Sequence, residues 1–210
     1  MTQLSIVFER ILDSIQKVFS NLFGWIIAVF TAYLSWLGDD SGSILLVIVA
    51  LVWDMAWGIA AAMERNEILK KIKQFFSIEE LVCPHAYRKW GQRAWQFLDT
   101  AFLETLYVIR KDILGVPMYC NIGEHTQRGL RCNKCKMVAN KSVSYLSAHV
   151  LGKAGDFSVQ GMTAEEARQK IIENADRLPH PIRMEANVVW LHIDVLEQYG
   201  IDEKVHLFNP

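Results

Sequence analysis

The first 82 residues of this 210-residue chain hold no histidine and no cysteine; all six histidines and all four cysteines lie beyond them. Imidazole and thiolate chemistry is thereby excluded from the front of the chain, which reads as two chemically different pieces. Clustered basic charge is missing too. Lys and Arg number 22 against 23 Asp and Glu, for a formal net charge of -1, and no long basic run offers the face that nucleic-acid binding requires. Nucleic acid is therefore set aside as a partner. Cys83, Cys120, Cys132 and Cys135 follow no regular framework spacing and no secretory signal precedes them. That argues against a disulfide-stapled secreted fold and for a reducing compartment.

Charge is absent from residues 21–38, and residues 41–63 carry only Asp54. About 20 apolar residues suffice to cross a bilayer, so a hairpin of two membrane helices is expected, joined by the acidic turn Gly38-Asp39-Asp40-Ser41-Gly42. The first segment is not a signal peptide. Its leading flank mixes Glu9, Arg10, Asp13 and Lys17, and a second span follows almost at once. Arg65, Lys70, Lys71 and Lys73 come after the second span, and the positive-inside rule then places both ends in the cytoplasm. Residues 2–20 set Leu4, Val7, Phe8, Ile11 and Ile15 opposite Glu9, Asp13 and Lys17. Such an amphipathic helix lies on lipid or docks on its neighbours. Asp54, costly in hydrocarbon, is expected to face water, another helix or a second subunit, and Gly58, Ala60, Ala61 and Ala62 permit the close packing of a homo-oligomer.

Residues 74–210 have the character of an α+β globular domain, with 1–73 as the membrane region. Apolar residues at helical spacing predict a helix over 92–113. Thr163-Ala164-Glu165-Glu166 is a capping box opening a helix to about Leu178. Residues 188–195 alternate, which predicts a strand with Val189, Leu191, Ile193 and Val195 on its apolar face and Trp190, His192 and Asp194 on the other. The sheet is expected to be short and antiparallel, with helices packed on it.

Ser147-Ala148-His149, then Gly152, Gly155 and Asp156, with a later His192-Ile193-Asp194, supply two imidazoles and a carboxylate. That is the ligand set of a catalytic zinc with one position open to water, where zinc acidifies the water and polarises a scissile carbonyl. Gly152 and Gly155 would let the backbone turn so that His149 and Asp156 converge. A loop histidine and a buried strand histidine without metal fit the spacing as well.

The run Ser-x-His, Gly, Ala, Asp and the later Trp190-x-His192-x-Asp194 resemble the zinc D-Ala-D-Ala carboxypeptidase and endolysin peptidase family. Residues 75–85, Gln127-Arg128-Gly129-Leu130-Arg131-Cys132-Asn133 and Leu207-Phe208-Asn209-Pro210 resemble a phage-associated branch of it, so the likeness covers about 74–210. The resemblance implies Zn2+ on His149, Asp156 and His192, and hydrolysis of stem peptides of bacterial peptidoglycan. Many members carry an acidic general base three residues before the last ligand, where this chain has Val189. Glu185 is the candidate replacement, since residues 181–185 and 188–195 read as hairpin arms: a loop of Ala186-Asn187 alone would set Glu185 opposite Val188, about 13 Å of strand rise from His192, whereas a four-residue loop would set it opposite Trp190, two positions from His192. Asp194 would orient the His192 imidazole. Arg128 or Arg131 stands where the resemblance places an arginine for the substrate carboxylate or the oxyanion.

Residues 54–62 with the charged stretch after them resemble phage holins, which implies a role in host-cell lysis at the inner membrane, the peptidase staying cytoplasmic until the membrane is breached. The competing reading is a membrane permeabiliser whose C-terminal domain only binds cell wall; a third is a host enzyme trimming D-Ala from wall precursors. Cys132-Asn133-Lys134-Cys135, with Cys120 and His125 nearby, reads as reduced, partly packed thiols or as a second metal site. His180, between Pro179 and Pro181, is expected to face solvent.

Overall fold

The computed structural model describes Val29, Phe30, Ala32, Tyr33, Trp36, residues 41–197 and residues 203–209. The expected amphipathic helix over 2–20, most of the 21–38 span and residues 38–40 of the acidic turn lie outside the described residues. The chain divides into two compact units, Met1–Ala61 and Ala62–Pro210.

Within the first unit lies most of helix α1 (Ser41–Ile72). Its stretch Ile44–Ile72 is the one helix among the described residues long and apolar enough to cross a membrane. Leu46, Trp53, Met55 and Trp57 are all exposed, and Asp54 is exposed as well. A helix that turns apolar side chains outward all round is suited to a lipid surrounding.

The second unit is α+β. Ile68 and Ile72, on the last turns of α1, are buried in its core, and Arg65 fastens that end by donating to the Thr100 hydroxyl and to the carbonyls of Trp95 (2.8 Å) and Leu98 (3.0 Å). Helices α2 (Ile78–Leu81) and α3 (Pro84–Trp90) follow, with proline at the first turn of α3, where its missing N–H costs nothing. Residues 92–113 do not form the single helix their spacing predicts. Gly91–Phe97 is a 3-10 helix, and α4 (Thr100–Val108) restarts at Asp99, whose carboxylate accepts from the Phe102 N–H at 3.2 Å, before widening into a π-helical turn over Ile109–Leu114. A side-chain cap competes with the helix interior at this position and breaks the run. Helix α5 (Lys136–Ala139) is one turn; α6 (Ala164–Glu173) opens with the expected Thr163 and Glu166 capping box and ends at Asn174, followed by a 3-10 turn over Ala175–Arg177.

Five strands form one sheet: β1 (Met118–Tyr119), β2 (Ala154–Val159), β3 (Ile182–Glu185), β4 (Leu191–Asp194) and β5 (Val205–Phe208), in the order β1-β2-β4-β3-β5. The sheet is mixed rather than antiparallel throughout, because β5 runs parallel to β3. The strand expected over 188–195 begins only at Leu191. Arg168, on α6, donates to the carbonyls of Val188 (2.9 Å) and Trp190 (3.1 Å) and draws those residues out of the ladder, which leaves Val189 91% exposed. Alternation does the rest. Phe157, Ile182, Met184, Leu191 and Ile193 are buried together in the core, so Asp156, Arg183, Glu185, His192 and Asp194 share the opposite face.

Candidate metal centre

Asp156 on β2 stands directly across the ladder from His192 on β4. His149 reaches them from the turn before β2, where Gly152 takes a φ of +71°. A side chain at Gly152 would also meet the Phe97 carbonyl, so this turn requires glycine. Gly155 does different work from the turn expected of it: it sits inside β2, and a Cβ there would run into the Phe157 ring.

The three side chains are buried and close. His149 Nε2 lies 3.4 Å from Asp156 Oδ1, and His192 Nδ1 lies 2.7 Å from the same oxygen. The outer nitrogen of each imidazole is held by an oxygen, His149 Nδ1 by the Gly129 carbonyl at 3.0 Å and His192 Nε2 by Asp194 Oδ2 at 2.9 Å. Asp194 is itself clamped by Arg183, whose Nε and Nη2 donate at 2.8 and 2.9 Å, and by the Leu196 N–H at 3.0 Å. Arg131 donates from Nη2 to Asp156 Oδ2 at 3.1 Å and from Nε to the Gln127 carbonyl at 2.6 Å. Anchored outer nitrogens with inner nitrogens converging on one carboxylate oxygen are the pattern of metal-binding histidines, whose second nitrogen is fixed by a carboxylate or a carbonyl. The donor set fits a zinc ion.

Electrostatics at the cluster are set by the same contacts. Burial works to raise the Asp156 carboxyl, but hydrogen bonds from His149 and His192 prevail and hold it well below the usual carboxylate range. Burial works to lower the His192 imidazole, and the carboxylates of Asp156 and Asp194 overcome it, raising the group to about 9. Burial also opposes ionisation of Asp194, while His192 and Arg183 keep its carboxyl below the ordinary value.

Glu185 closes β3 on the same face. The antiparallel register Arg183 to Asp194, carried two residues along, sets Glu185 across from His192 rather than Trp190. Its Oε2 accepts from Trp190 Nε1 at 3.0 Å. Arg128 is placed apart from Arg131: its Nη1 donates to the Ser158 hydroxyl at 2.9 Å, and its backbone carbonyl accepts from the Asp156 N–H at 2.9 Å. His180 pairs with Glu104 at 2.8 Å.

A second group of metal-ligating side chains joins Cys83, His85, Cys132 and Cys135, with one ligand atom from each lying within 4.8 Å of the others. Neither Cys120 nor His125 belongs to it. Cys120 is fully buried, and burial raises its thiol above the ordinary range. The pairing of Cys83 with Cys132 escaped the spacing because 49 residues separate them (132 minus 83). The signal that could have found it is a second soft-donor pair, Cys83-Pro84-His85, beside Cys132-x-x-Cys135. Arg183 was also missed, being one of many arginines until β3 sets it beside Asp194.

No protein family, curated protein or solved structure matches the chain.

Proposed function

We propose that the domain is a zinc-dependent peptidase acting on the peptides of bacterial peptidoglycan, with zinc on His149, Asp156 and His192. The observation that carries the metal reading is the anchoring of both outer imidazole nitrogens, which leaves Nε2 of His149 and Nδ1 of His192 converging beside Asp156. The substrate class rests on the resemblance of residues 74–210 to the endolysin and D-Ala-D-Ala carboxypeptidase family.

Bound zinc supplies an acidified water and a polarised carbonyl. The chain's residues arrange the rest. Arg131 neutralises the outer oxygen of Asp156, and the Arg183–Asp194 pair fixes the His192 ring. Glu185, steadied through Oε2 by Trp190, takes the water's proton on Oε1 and later delivers it to the leaving amine. Arg128 spends one nitrogen on Ser158 and keeps donors for the terminal carboxylate of a stem peptide.

In the same reading α1 tethers the enzyme to the host inner membrane, alone or with a second apolar segment in a holin-like hairpin, and a lytic role follows. The peptidase would remain cytoplasmic until the membrane is breached; reporter fusions after Pro210 test that side. A permeabiliser with an inert domain is the rival, favoured by the exposed apolar Val189 where an acidic base is expected.

The test is release of new amino termini or free D-Ala from purified peptidoglycan by the full chain in detergent. Chelator should abolish release, zinc should restore it, and His149→Ala should be inert. Glu185→Gln should keep its zinc and lose at least about 100-fold in kcat. Vesicle leakage with no metal-dependent cleavage of any stem peptide sinks the peptidase reading and supports the permeabiliser.

A further inference from the structure

Four soft donors meet where two distant segments run side by side. Val82 and Leu130 form a parallel bridge, closed by the Leu130 N–H to the Leu81 carbonyl and the Cys83 N–H to the Leu130 carbonyl, each 2.9 Å. Gly129 permits that approach, since a Cβ there would strike the Leu81 backbone. Cys83 precedes α3 and His85 lies on its first turn, while Cys132 and Cys135 bracket a tight knuckle in which the Cys135 N–H donates to the Cys132 carbonyl at 3.0 Å. The Cys135 and Cys132 sulfurs are 3.9 Å apart, and Cys135 Sγ is 3.9 Å from His85 Nδ1.

Those separations decide between a disulfide and a metal. A disulfide holds sulfurs at about 2.05 Å. Zinc bonds of about 2.3 Å to sulfur and 2.0 Å to nitrogen, directed to tetrahedral corners, require sulfur–sulfur edges of about 3.8 Å and sulfur–nitrogen edges of about 3.5 Å. The Cys132–Cys135 edge matches the tetrahedron, the Cys135–His85 edge is about 0.4 Å longer than its ideal, and all four ligand atoms lie within 4.8 Å of one another, far from disulfide distance. Cys83 and Cys135 are fully buried, and all four thiols of the chain are free. Three thiolates with zinc leave one net negative charge; Arg88, Lys89 and Lys134 line the same cavity as His85 and Cys132 and supply the opposing charge.

We propose that Cys83, His85, Cys132 and Cys135 form a closed zinc site, separate from the His149 centre, that clamps α3 to residues 129–135. Four protein ligands leave no position for water or substrate, so its role is structural. What it braces is specific. Gly129 provides the carbonyl that orients His149, Arg131 holds Asp156, and the Arg131 N–H donates to the His149 carbonyl at 3.1 Å. The clamp fixes both ends of that support.

Cobalt substitution of the full chain in detergent distinguishes the two centres. Thiolate ligands give intense charge-transfer absorption that a site of two imidazoles and a carboxylate lacks. Wild type should bind two zinc ions and show this band with cobalt. His149→Ala should fall to one ion and keep the band, and Cys132→Ser with Cys135→Ser should lose it. His85→Cys, which adds a thiolate, should retain the site and strengthen the band by about one third. Thiol protection settles the matter on wild type alone, zinc shielding Cys83, Cys132 and Cys135 from alkylation. A wild-type cobalt spectrum with no charge-transfer band, zinc-independent alkylation, or a Cys132–Cys135 disulfide in protein purified without reductant overturns the proposal. None of these outcomes depends on peptidase activity.

Discussion

At His192, a proton and the proposed zinc would compete for one lone pair. In the metal-free chain the ring is gripped by Asp156 at Nδ1 and Asp194 at Nε2, His149 lies alongside, and Arg131 and Arg183 hold the two carboxylates from behind. The ring therefore keeps its proton up to about 9, against an ordinary 6.5. A raised folded-state value stabilises the metal-free fold fully below about pH 6.5, and this contribution is lost as pH rises through about 9. Zinc reverses the slope, because the proton must leave before Nδ1 can bind metal. Affinity of this centre should rise about tenfold per pH unit between 6.5 and 9 and then level off. Chelator competition on the full chain, with His149→Ala as the control lacking the site, checks this; an affinity flat across that range would show that His192 carries no such proton.

Among the elements, Arg168 does most to shape the site without touching the ligands. It is 3% exposed, and its two carbonyl bonds hold residues 188–190 off the sheet, where Trp190 steadies Glu185. Arg168→Ala should cost about 3 kcal/mol, since a buried guanidinium is lost and two part-buried carbonyls lose their charged donor, and should lower kcat while zinc content stays unchanged. Denaturant unfolding together with metal analysis reads both; a change under about 0.5 kcal/mol would place the loop's support elsewhere. The same arginine explains why the sequence misleads here. Alternation over 188–195 is a local signal, whereas a guanidinium arriving from α6 is a tertiary one and wins. Asp99 likewise interrupts a helical period that is otherwise continuous, and the capping oxygen is visible in the sequence once its competition with the apolar spacing is weighed. That His192 shares a face with Asp194 was legible because strand alternation fixes it, whereas the place of Asp156 on a facing strand was not, since Gly152 and Gly155 read as one turn and only the pairing of β2 with β4 sets Asp156 across from His192. The parallel pairing of β5 with β3, and the meeting of Cys83 with Cys132, carry no local trace, since both depend on how distant segments close on each other.

For the whole molecule, the division first seen as an absence of histidine and cysteine persists as a division of surroundings. The domain beyond Ala62 buries its apolar side chains in a core of its own, whereas α1 leaves Leu46, Val47, Leu51, Trp53 and Trp57 exposed by half or more. A single helix of 32 residues with apolar surface of that extent is long enough for, and suited to, the hydrocarbon of a bilayer. Its basic residues, Arg65, Lys70 and Lys71, lie only in its last eight residues, and Arg65 is already engaged by Thr100 and the carbonyls of Trp95 and Leu98, so attachment should rest on apolar burial and not on attraction to anionic headgroups. The full chain should float with vesicles of neutral lipid as well as with anionic ones. It should stay bound through about 1 M salt, where the screening length falls to about 3 Å, and through alkaline carbonate. Replacing Leu51 and Trp53 with aspartate should release it, because charges near mid-helix cost about 3 kcal/mol each in hydrocarbon. Release of the unmodified chain by salt alone would mean that α1 rests on a surface or a partner rather than crossing the membrane.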